Sequence, residues 1–177
     1  MKNTLIVNLI GGPGIGKSTL TAAIFARLKD AGVDCEMVSE FAKELVWEQR
    51  NETIKDELYI FAKQAHRIFR LNGKVEVIIT DRPLILTCFY AQNDHELSDF
   101  CYNRFNLYNN LNYLLTRKKK YNPNGRNQNE EEAKAVDVGV KTILTEYNVK
   151  YETVPGDMKT VDIIVKDILK KLENNNK

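Results

Sequence analysis

A glycine-rich segment near the N-terminus constrains the fold of this chain more than any other feature of its sequence. Residues 11–19 read Gly-Gly-Pro-Gly-Ile-Gly-Lys-Ser-Thr, and they match the pattern G-x-x-x-x-G-K-S/T at every position. A short apolar run at residues 5–10 precedes the segment, and apolar residues at helical spacing follow it from Leu20 onward. An apolar run of this length is typical of a parallel strand that is buried on both faces. The segment therefore predicts a loop that joins a buried strand to the N-terminus of a helix.

The residue types in this segment, called the phosphate loop below, favour a phosphate ligand. Glycine adopts backbone angles that other residues avoid, so consecutive N–H groups can surround an anion at the positive end of the helix. The lysine then reaches the β- and γ-phosphates, and the next hydroxyl completes the shell of a Mg²⁺ ion. A glycine-rich turn with a chance lysine is the alternative, which the full match disfavours. The predicted nucleotide-binding residues are Gly11, Gly12, Pro13, Gly14, Ile15, Gly16, Lys17, Ser18 and Thr19, with Ser18 as a metal ligand.

Composition predicts one domain in a reducing compartment. The 177 residues suit a single domain, residues 1–177, with one well-developed core. No apolar segment approaches the roughly 20 residues that span a bilayer, and the first apolar run leads directly into the phosphate loop, which argues against a signal peptide. We therefore expect a cytoplasmic protein with no membrane partner. The cysteines lack metal-ligand spacing, which disfavours a zinc site. The net charge of +2 gives little long-range attraction to nucleic acid.

Strand and helix patterns alternate along the rest of the chain. Alternating elements of this kind favour right-handed crossovers and a parallel sheet covered by helices on both faces. The sequence therefore predicts a three-layer α/β/α fold with a five-stranded parallel sheet. The predicted strands lie at 5–10, 33–39, 75–80, 111–116 and 150–154, and the predicted helices after the first lie at 41–49, 54–71, 97–110, 130–147 and 161–172.

Carboxylates follow two of the predicted strands, at the edge where ligands bind in parallel sheets. Asp81 follows the third strand, where an acid can bind the metal beside the phosphate loop or position an acceptor. A helix N-cap is the alternative for Asp81. Glu40 follows the second strand, and a carboxylate there can orient or deprotonate a hydroxyl group. The alternative for Glu40 is a solvated residue favoured by the helix dipole.

Three arginines are candidates for phosphate contacts. Arg82 adjoins Asp81 and can direct two N–H donors onto a phosphate, or it can form a structural ion pair. Arg117 and Arg126 bracket a polar loop with turn residues, residues 117–129. Such a loop can close over phosphates and exclude water. The alternative is a merely exposed basic loop.

Aromatic residues and a late turn are weaker candidates. Trp47, Tyr59 and Phe61 can wall a base pocket by stacking, although core packing explains most aromatic residues here. The turn at 154–157 has two interpretations. It either borders the adenine ring of a bound nucleotide or is an ordinary surface turn. Neither histidine has a partner at metal or triad spacing, so we interpret His66 and His95 as non-catalytic.

The order of these motifs resembles that of the P-loop nucleoside and nucleotide kinases. In particular the chain is similar, over nearly its whole length, to an AAA-labelled kinase family. That family contains the ribosylnicotinamide kinase domain of bacterial NAD regulators and many small bacteriophage proteins. This chain resembles the phage branch most in the Glu40-Phe41 and Trp47-Glu48 pairs and in the stretch 121–133. The motifs that carry the wider resemblance are the phosphate loop, Ser39-Glu40-Phe41, Thr80-Asp81-Arg82-Pro83 and Arg117 with Gly125-Arg126.

This resemblance implies a P-loop kinase fold with the first strand central and a mobile lid at about 117–129. It implies that Lys17 and Ser18 bind ATP and Mg²⁺, that Asp81 organises the metal or the acceptor, and that the lid contains Arg117 and Arg126. The implied activity is that of an ATP- and Mg²⁺-dependent phosphotransferase acting on a nucleoside-like or nucleotide-like acceptor. We expect a monomer or a homodimer. The implied catalytic residues are Lys17, Glu40, Asp81, Arg117 and Arg126, with Glu40 and Arg82 binding the acceptor.

The resemblance leaves the acceptor open. The Arg82-Pro83 pair departs from the ribosylnicotinamide kinases and resembles the Asp-Arg motif of thymidylate kinases, where the arginine holds a monophosphate. A nucleoside hydroxyl, a nucleotide phosphate and 5-hydroxymethyluracil in phage DNA are therefore all candidates. The basic cluster at 117–120 suits modified DNA, whereas the near-neutral charge argues against extensive backbone contact. A nucleotide-dependent ATPase switch or binding module is the non-kinase alternative.

Overall fold

The computed structural model describes residues 2–91, 94–118, 121–122 and 129–175. Within these residues the five strands are β1 (Leu5–Ile10), β2 (Cys35–Val38), β3 (Val77–Thr80), β4 (Asn109–Thr116) and β5 (Glu152–Pro155). The seven α-helices are α1 (Lys17–Asp30), α2 (Phe41–Trp47), α3 (Glu57–Phe69), α4 (Leu86–Tyr90), α5 (His95–Asn106), α6 (Glu130–Glu146) and α7 (Lys159–Asn175), and a short 3-10 helix spans Thr53–Lys55.

The five strands form one sheet in the order β2-β3-β1-β4-β5, and every neighbouring pair is parallel. The prediction of an α/β fold with a five-stranded parallel sheet is confirmed, as is the central position of the first strand. The register aligns Asn8 and Val38 with Thr80, and Ile10 with Leu114. The carboxyl ends of these strands therefore meet at one edge, where the phosphate loop begins.

Alternate residues of β1 pack into two different cores. Leu5, Val7 and Leu9 contribute to a core that α1 and α7 cover. Ile6 and Ile10 contribute to a second core, which receives side chains from α3, α4, α5 and α6. Because successive side chains of a strand point to opposite faces, this division places helices on both sides of the sheet. The three-layer α/β/α arrangement follows.

A buried amide network corrects the predicted end of the helix at 97–110. The helix α5 ends at Asn106, and β4 begins at Asn109. The side-chain amide of Asn8 donates to the Oδ1 atoms of Asn110 and Asn112, at 2.9 and 2.8 Å. Asn110 in turn donates to the backbone carbonyl of Phe105 at 2.7 Å. These bonds satisfy polar groups inside the sheet, so a segment rich in asparagine extends the strand.

Other element boundaries also differ from the predictions. The helix predicted at 54–71 is split, because Asp56 caps α3 by accepting a hydrogen bond from the Tyr59 N–H at 2.9 Å. Pro83 suits the first turn of a helix, but it precedes α4, which begins at Leu86, whose N–H donates to the Pro83 carbonyl. In the described part of the chain, none of the helices has the length and apolar character needed to cross a bilayer.

Candidate active site

The phosphate loop connects β1 to α1, as predicted. Gly16 precedes the first residue of the helix with a φ of 114°, and Gly14 has a φ of 74°. Both values lie in the region that side chains with a Cβ atom rarely adopt. The sequence therefore uses glycine where the backbone must turn sharply into a helix N-terminus. This geometry suits the binding of an anion by backbone N–H groups.

Lys17 is the first residue of α1, and its ammonium group points back across the loop. Its Nζ atom donates to the backbone carbonyls of Gly11 and Gly12, at 2.6 and 2.9 Å. Burial lowers the pKa of Lys17, although the charges of Glu40 and Asp81 oppose that shift. Among the described residues its ammonium group forms no ion pair within 4.0 Å. A bound phosphate would supply the missing counter-charge.

A pocket of about 290 Å³ extends from the phosphate loop toward the helices that follow β2 and β3. We call its two halves the loop end and the acidic end. The loop end is lined by Pro13, Gly14, Gly16, Lys17, Ser18 and Thr19. The acidic end is lined by Glu40, Ala42, Lys43, Val46, Ile54, Glu57, Arg82, Leu86 and Tyr90. The pocket therefore joins the phosphate loop to a region lined by both charged and apolar side chains.

Arg82 organises the acidic end. Its side chain is only 4% exposed, and its Nη2 atom lies 3.1 Å from Glu57 Oε2. Its Nη1 atom lies 4.0 Å from Glu40 Oε1, and the guanidinium group stacks on the Tyr90 ring, 4.4 Å from the centroid. Burial raises the pKa of Glu57, and the charge of Arg82 opposes this shift. The structure thus brings Glu40 and Arg82 together, in the ion pair that the sequence left as an alternative for Arg82.

Glu57 and Tyr90 were not identified from the sequence. Glu57 is the first residue of α3, where an acidic residue is expected simply because it interacts favourably with the helix dipole. No local pattern distinguishes it from other acidic residues in first turns. Tyr90 ends α4, a five-residue helix without a clear periodic signal. Only the tertiary packing of α3 and α4 against each other shows that both residues line the pocket.

Asp81 does not line the pocket, but its charge acts on Lys17 of the phosphate loop. It is 4% exposed, and its Oδ1 atom has no hydrogen-bond partner among the described residues. A buried carboxylate oxygen without a partner is costly unless a ligand satisfies it. Mg²⁺ prefers oxygen ligands and needs few from the protein, since it keeps water and binds phosphates. The donor set of Asp81 and the exposed hydroxyl of Ser18 therefore fits Mg²⁺.

Asp137 on α6 is a third residue that was not identified from the sequence. Its Oδ1 atom accepts a hydrogen bond from the Gly12 N–H at 2.7 Å. Its Oδ2 atom accepts two more from Arg117, from Nη2 at 2.8 Å and Nε at 3.0 Å. Arg117 also donates to the Pro13 carbonyl at 3.0 Å. This carboxylate therefore connects α6, the end of β4 and the phosphate loop.

Arg117 lies against the outside of the phosphate loop. Its Nη1 atom is buried, without a hydrogen-bond partner among the residues the structure describes. A Cβ atom on Gly14 would lie 3.5 Å from this Nη1 atom and 2.8 Å from the Tyr121 ring. Arg126 and most of the predicted lid, residues 119–120 and 123–128, lie outside the described residues. The lid and the role of Arg126 therefore stay predictions.

The turn after β5 supports the phosphate loop from the other side. The Gly156 N–H donates to the Thr116 carbonyl at 2.8 Å. A Cβ atom on Gly156 would lie 2.4 Å from the Ile15 carbonyl oxygen, so the two backbones are in close contact. The predicted position of this turn at an adenine ring stays a prediction.

The aromatic residues considered from the sequence do not line the pocket. Trp47 is 66% exposed, Phe61 lies in the second core, and Tyr59 packs edge-on against Phe41. Tyr90 is the aromatic residue that lines the pocket. His66 and His95 are exposed on helices away from the pocket lining.

Comparison with known proteins gives one family. A family model described as an AAA domain matches residues 6–160, which include the phosphate loop, all five strands except the first residue of β1, and the residues of both ends of the pocket. No curated protein matches the chain.

Proposed function

This chain belongs to the AAA domain family, and from that membership we propose that it is an ATP- and Mg²⁺-dependent kinase for a nucleoside-like or nucleotide-like acceptor. Nucleotide binding follows from the family and the phosphate loop. The proposal of phosphoryl transfer depends on one observation above all. The pocket continues from the phosphate loop into a second end that contains two carboxylates and a buried arginine, Glu40, Glu57 and Arg82. A protein that only hydrolyses ATP has no need of this second end.

At the loop end, backbone N–H groups and the Lys17 ammonium group bind the phosphates of ATP. The lowered pKa of Lys17 supports this assignment, as does the lack of an ion-pair partner for it among the described residues. Ser18 and Asp81 hold Mg²⁺, which supplies charge neutralisation for the phosphate oxygens when it is bound. The buried Oδ1 atom of Asp81, which accepts no hydrogen bond from the part of the chain that the structure describes, supports a metal role for this carboxylate.

At the acidic end, Glu40 orients the attacking oxygen. Glu40 lines the pocket and is half-buried, so its carboxylate can accept a hydrogen bond from an acceptor hydroxyl. The hydroxyl oxygen attacks the γ-phosphorus, the bond to the β–γ bridging oxygen breaks, and ADP leaves. The hydroxyl proton passes to Glu40 and then to water. The proposal thus divides the roles, with the acceptor assigned to Glu40 and the metal to Asp81.

Arg117 and Arg126 complete the proposed machinery. The contacts of Arg117 with Asp137 and Pro13 hold it against the phosphate loop, which supports a role beside the phosphates. We assign residues 117–129 to a lid that excludes water and brings Arg126 to the transferring group.

The test is transfer of radioactive phosphate from γ-labelled ATP to nucleosides, nucleoside monophosphates, nicotinamide riboside and DNA with or without 5-hydroxymethyluracil. We expect label on an acceptor with the wild-type protein and none with Lys17→Ala. Lys29→Ala is the matched control, because Lys29 lies on the same helix but forms a surface pair with Glu36. Transfer that survives Lys17→Ala would contradict the mechanism.

A further inference from the structure

We infer that the acceptor is a hydroxyl-bearing molecule of the nucleoside class that carries no phosphate group. This inference rests on the proposed function, since it names the molecule that the acidic end receives. It excludes two of the acceptors that the sequence left open, nucleoside monophosphates and modified bases within DNA. Three features of the acidic end support this inference: its buried charges, the contacts that its arginine already makes, and its apolar wall.

The buried charges of the acidic end are mostly negative. Glu40 and Glu57 contribute two carboxylates whose side chains are 26% and 15% exposed, against the single guanidinium of Arg82 at 4%. Lys43 also lines the pocket, but it is solvent-exposed, so water screens its charge. Lys17 is committed to the loop end. A phosphate in the acidic end would therefore lie beside two anions in a partly dehydrated site, where repulsion is strong.

Arg82 is already engaged, although it is the cation that a phosphate would need. One terminal nitrogen contacts Glu57, the other faces Glu40, and Tyr90 covers one face of the guanidinium plane. A phosphate bound to Arg82 would have to share the single guanidinium charge with Glu57 and Glu40. Sharing it would weaken the charge compensation of two partly buried carboxylates. The Asp81-Arg82 motif therefore serves a different purpose here than phosphate binding: it positions two carboxylates.

Hydroxyl groups complement this arrangement. A carboxylate only accepts hydrogen bonds, so Glu40 and Glu57 together suit a ligand with several O–H donors. Burial already raises the pKa of Glu57. Hydroxyl donors would stabilise its charged form, whereas a second anion would disfavour it. The remaining lining adds an apolar wall that fits a flat ring, formed by Val46, Ile54, Leu86 and Tyr90. A sugar joined to a ring has both features.

The test compares kcat/KM of the wild-type protein for each nucleoside with that for its 5′-monophosphate, with saturating ATP and Mg²⁺. We expect the best nucleoside to exceed its monophosphate by about a hundredfold. A monophosphate preferred over its nucleoside, or transfer only to hydroxymethyluracil in DNA, would overturn the inference and leave the kinase proposal intact. ATP hydrolysis without transfer to any acceptor would overturn both.

A variant tests whether electrostatic repulsion causes the preference for the nucleoside over its monophosphate. Glu57→Gln removes one negative charge while keeping the size of the side chain, and we expect the preference for the nucleoside to fall about tenfold. Glu44→Gln is the matched control, because Glu44 pairs with Arg67 outside the pocket lining, and we expect an unchanged preference. An unchanged preference in a folded Glu57→Gln variant would overturn the inference. If that variant does not fold, the wild-type comparison decides alone.

Discussion

Asp137 and Arg117 form an ion pair 2.8 Å long between α6 and the end of β4. The same carboxylate accepts a hydrogen bond from the Gly12 N–H, and Arg117 donates a hydrogen bond to the Pro13 carbonyl. The first two residues after Gly11 in the phosphate loop are therefore fixed by side chains from more than a hundred residues later in the sequence. Because Arg117 also begins the predicted lid, the position of the lid base and the shape of the loop depend on one another.

Removing Asp137 is expected to weaken both the fold and ATP binding. Asp137→Ala leaves Arg117 and the Gly12 N–H without their partner, at a cost of about 2 kcal/mol in the free energy of unfolding. We expect the Kd for ATP to rise about tenfold, because the loop backbone is no longer held. Urea unfolding and equilibrium titration measure the two effects. Asp162→Ala is the control: its pair with Arg27 is mostly exposed, so we expect a loss below about 0.5 kcal/mol and unchanged ATP binding.

A methyl group at position 156 is expected to deform the phosphate loop. In Gly156→Ala the new Cβ atom would meet the Ile15 carbonyl at 2.4 Å and the Thr116 carbonyl at 3.0 Å, and neither backbone atom can move freely. We expect ATP affinity to fall at least about tenfold. Gly32→Ala is the matched control, since its φ of 79° strains alanine but its Cβ atom meets nothing within 4 Å. That variant should lose about 1 kcal/mol of stability and bind ATP normally. Equal ATP affinities of the two variants would contradict the close contact between the backbones of Gly156 and Ile15.

Arg82 and Glu57 are expected to be energetically coupled. Arg82→Ala leaves two partly buried carboxylates without their cation and should cost about 3–5 kcal/mol. The double variant Arg82→Ala with Glu57→Gln removes one of those charges, so its cost should be smaller than the sum of the single costs by about 1–3 kcal/mol. Urea unfolding of the four proteins measures this coupling. Additive costs would show that the two side chains do not interact.

The buried thiol of Cys88 is expected to make the fold less stable at alkaline pH. Burial raises its pKa from 9.0 to about 12. As pH rises above 9.0, the unfolded chain therefore loses a thiol proton that the folded chain retains. Stability falls with pH in that interval, because the folded state binds more protons. The free energy of unfolding, measured from about pH 8 to about pH 11, should fall less steeply in Cys88→Ala. Identical pH dependence of the free energy of unfolding in the two proteins would contradict the raised pKa of Cys88.

The elements that depend on local pattern were predictable from the sequence. The phosphate loop, the strand before it and the parallel sheet follow from the spacing of glycine, apolar runs and helical periods, which local interactions largely determine. Glu40 and Asp81 were predicted as site residues from their positions after strand ends, because the carboxyl ends of parallel strands meet at one edge. The structure places Glu40 in the pocket lining, and the roles of both carboxylates stay predictions.

Residues that depend on distant partners were not predictable. Asp137 occupies the middle of a helix that already begins with acidic residues, and its partner Gly12 is 125 residues away. The strand at Asn109 and Asn110 was missed for the same reason, since the amide bond between Asn8 and Asn110 joins residues 102 positions apart. Asparagine has low strand propensity, so only this tertiary contact explains the extended backbone.

The stoichiometry of ATP consumption tests the central claim most directly. Purified protein with Mg²⁺, ATP and its best acceptor is followed for ADP, inorganic phosphate and phosphorylated acceptor in the same sample. A kinase predicts about one phosphorylated acceptor for each ADP, with little free phosphate and little ADP formed when the acceptor is omitted. Release of about one inorganic phosphate for each ADP, unaffected by any acceptor, would instead identify an ATPase and contradict the account.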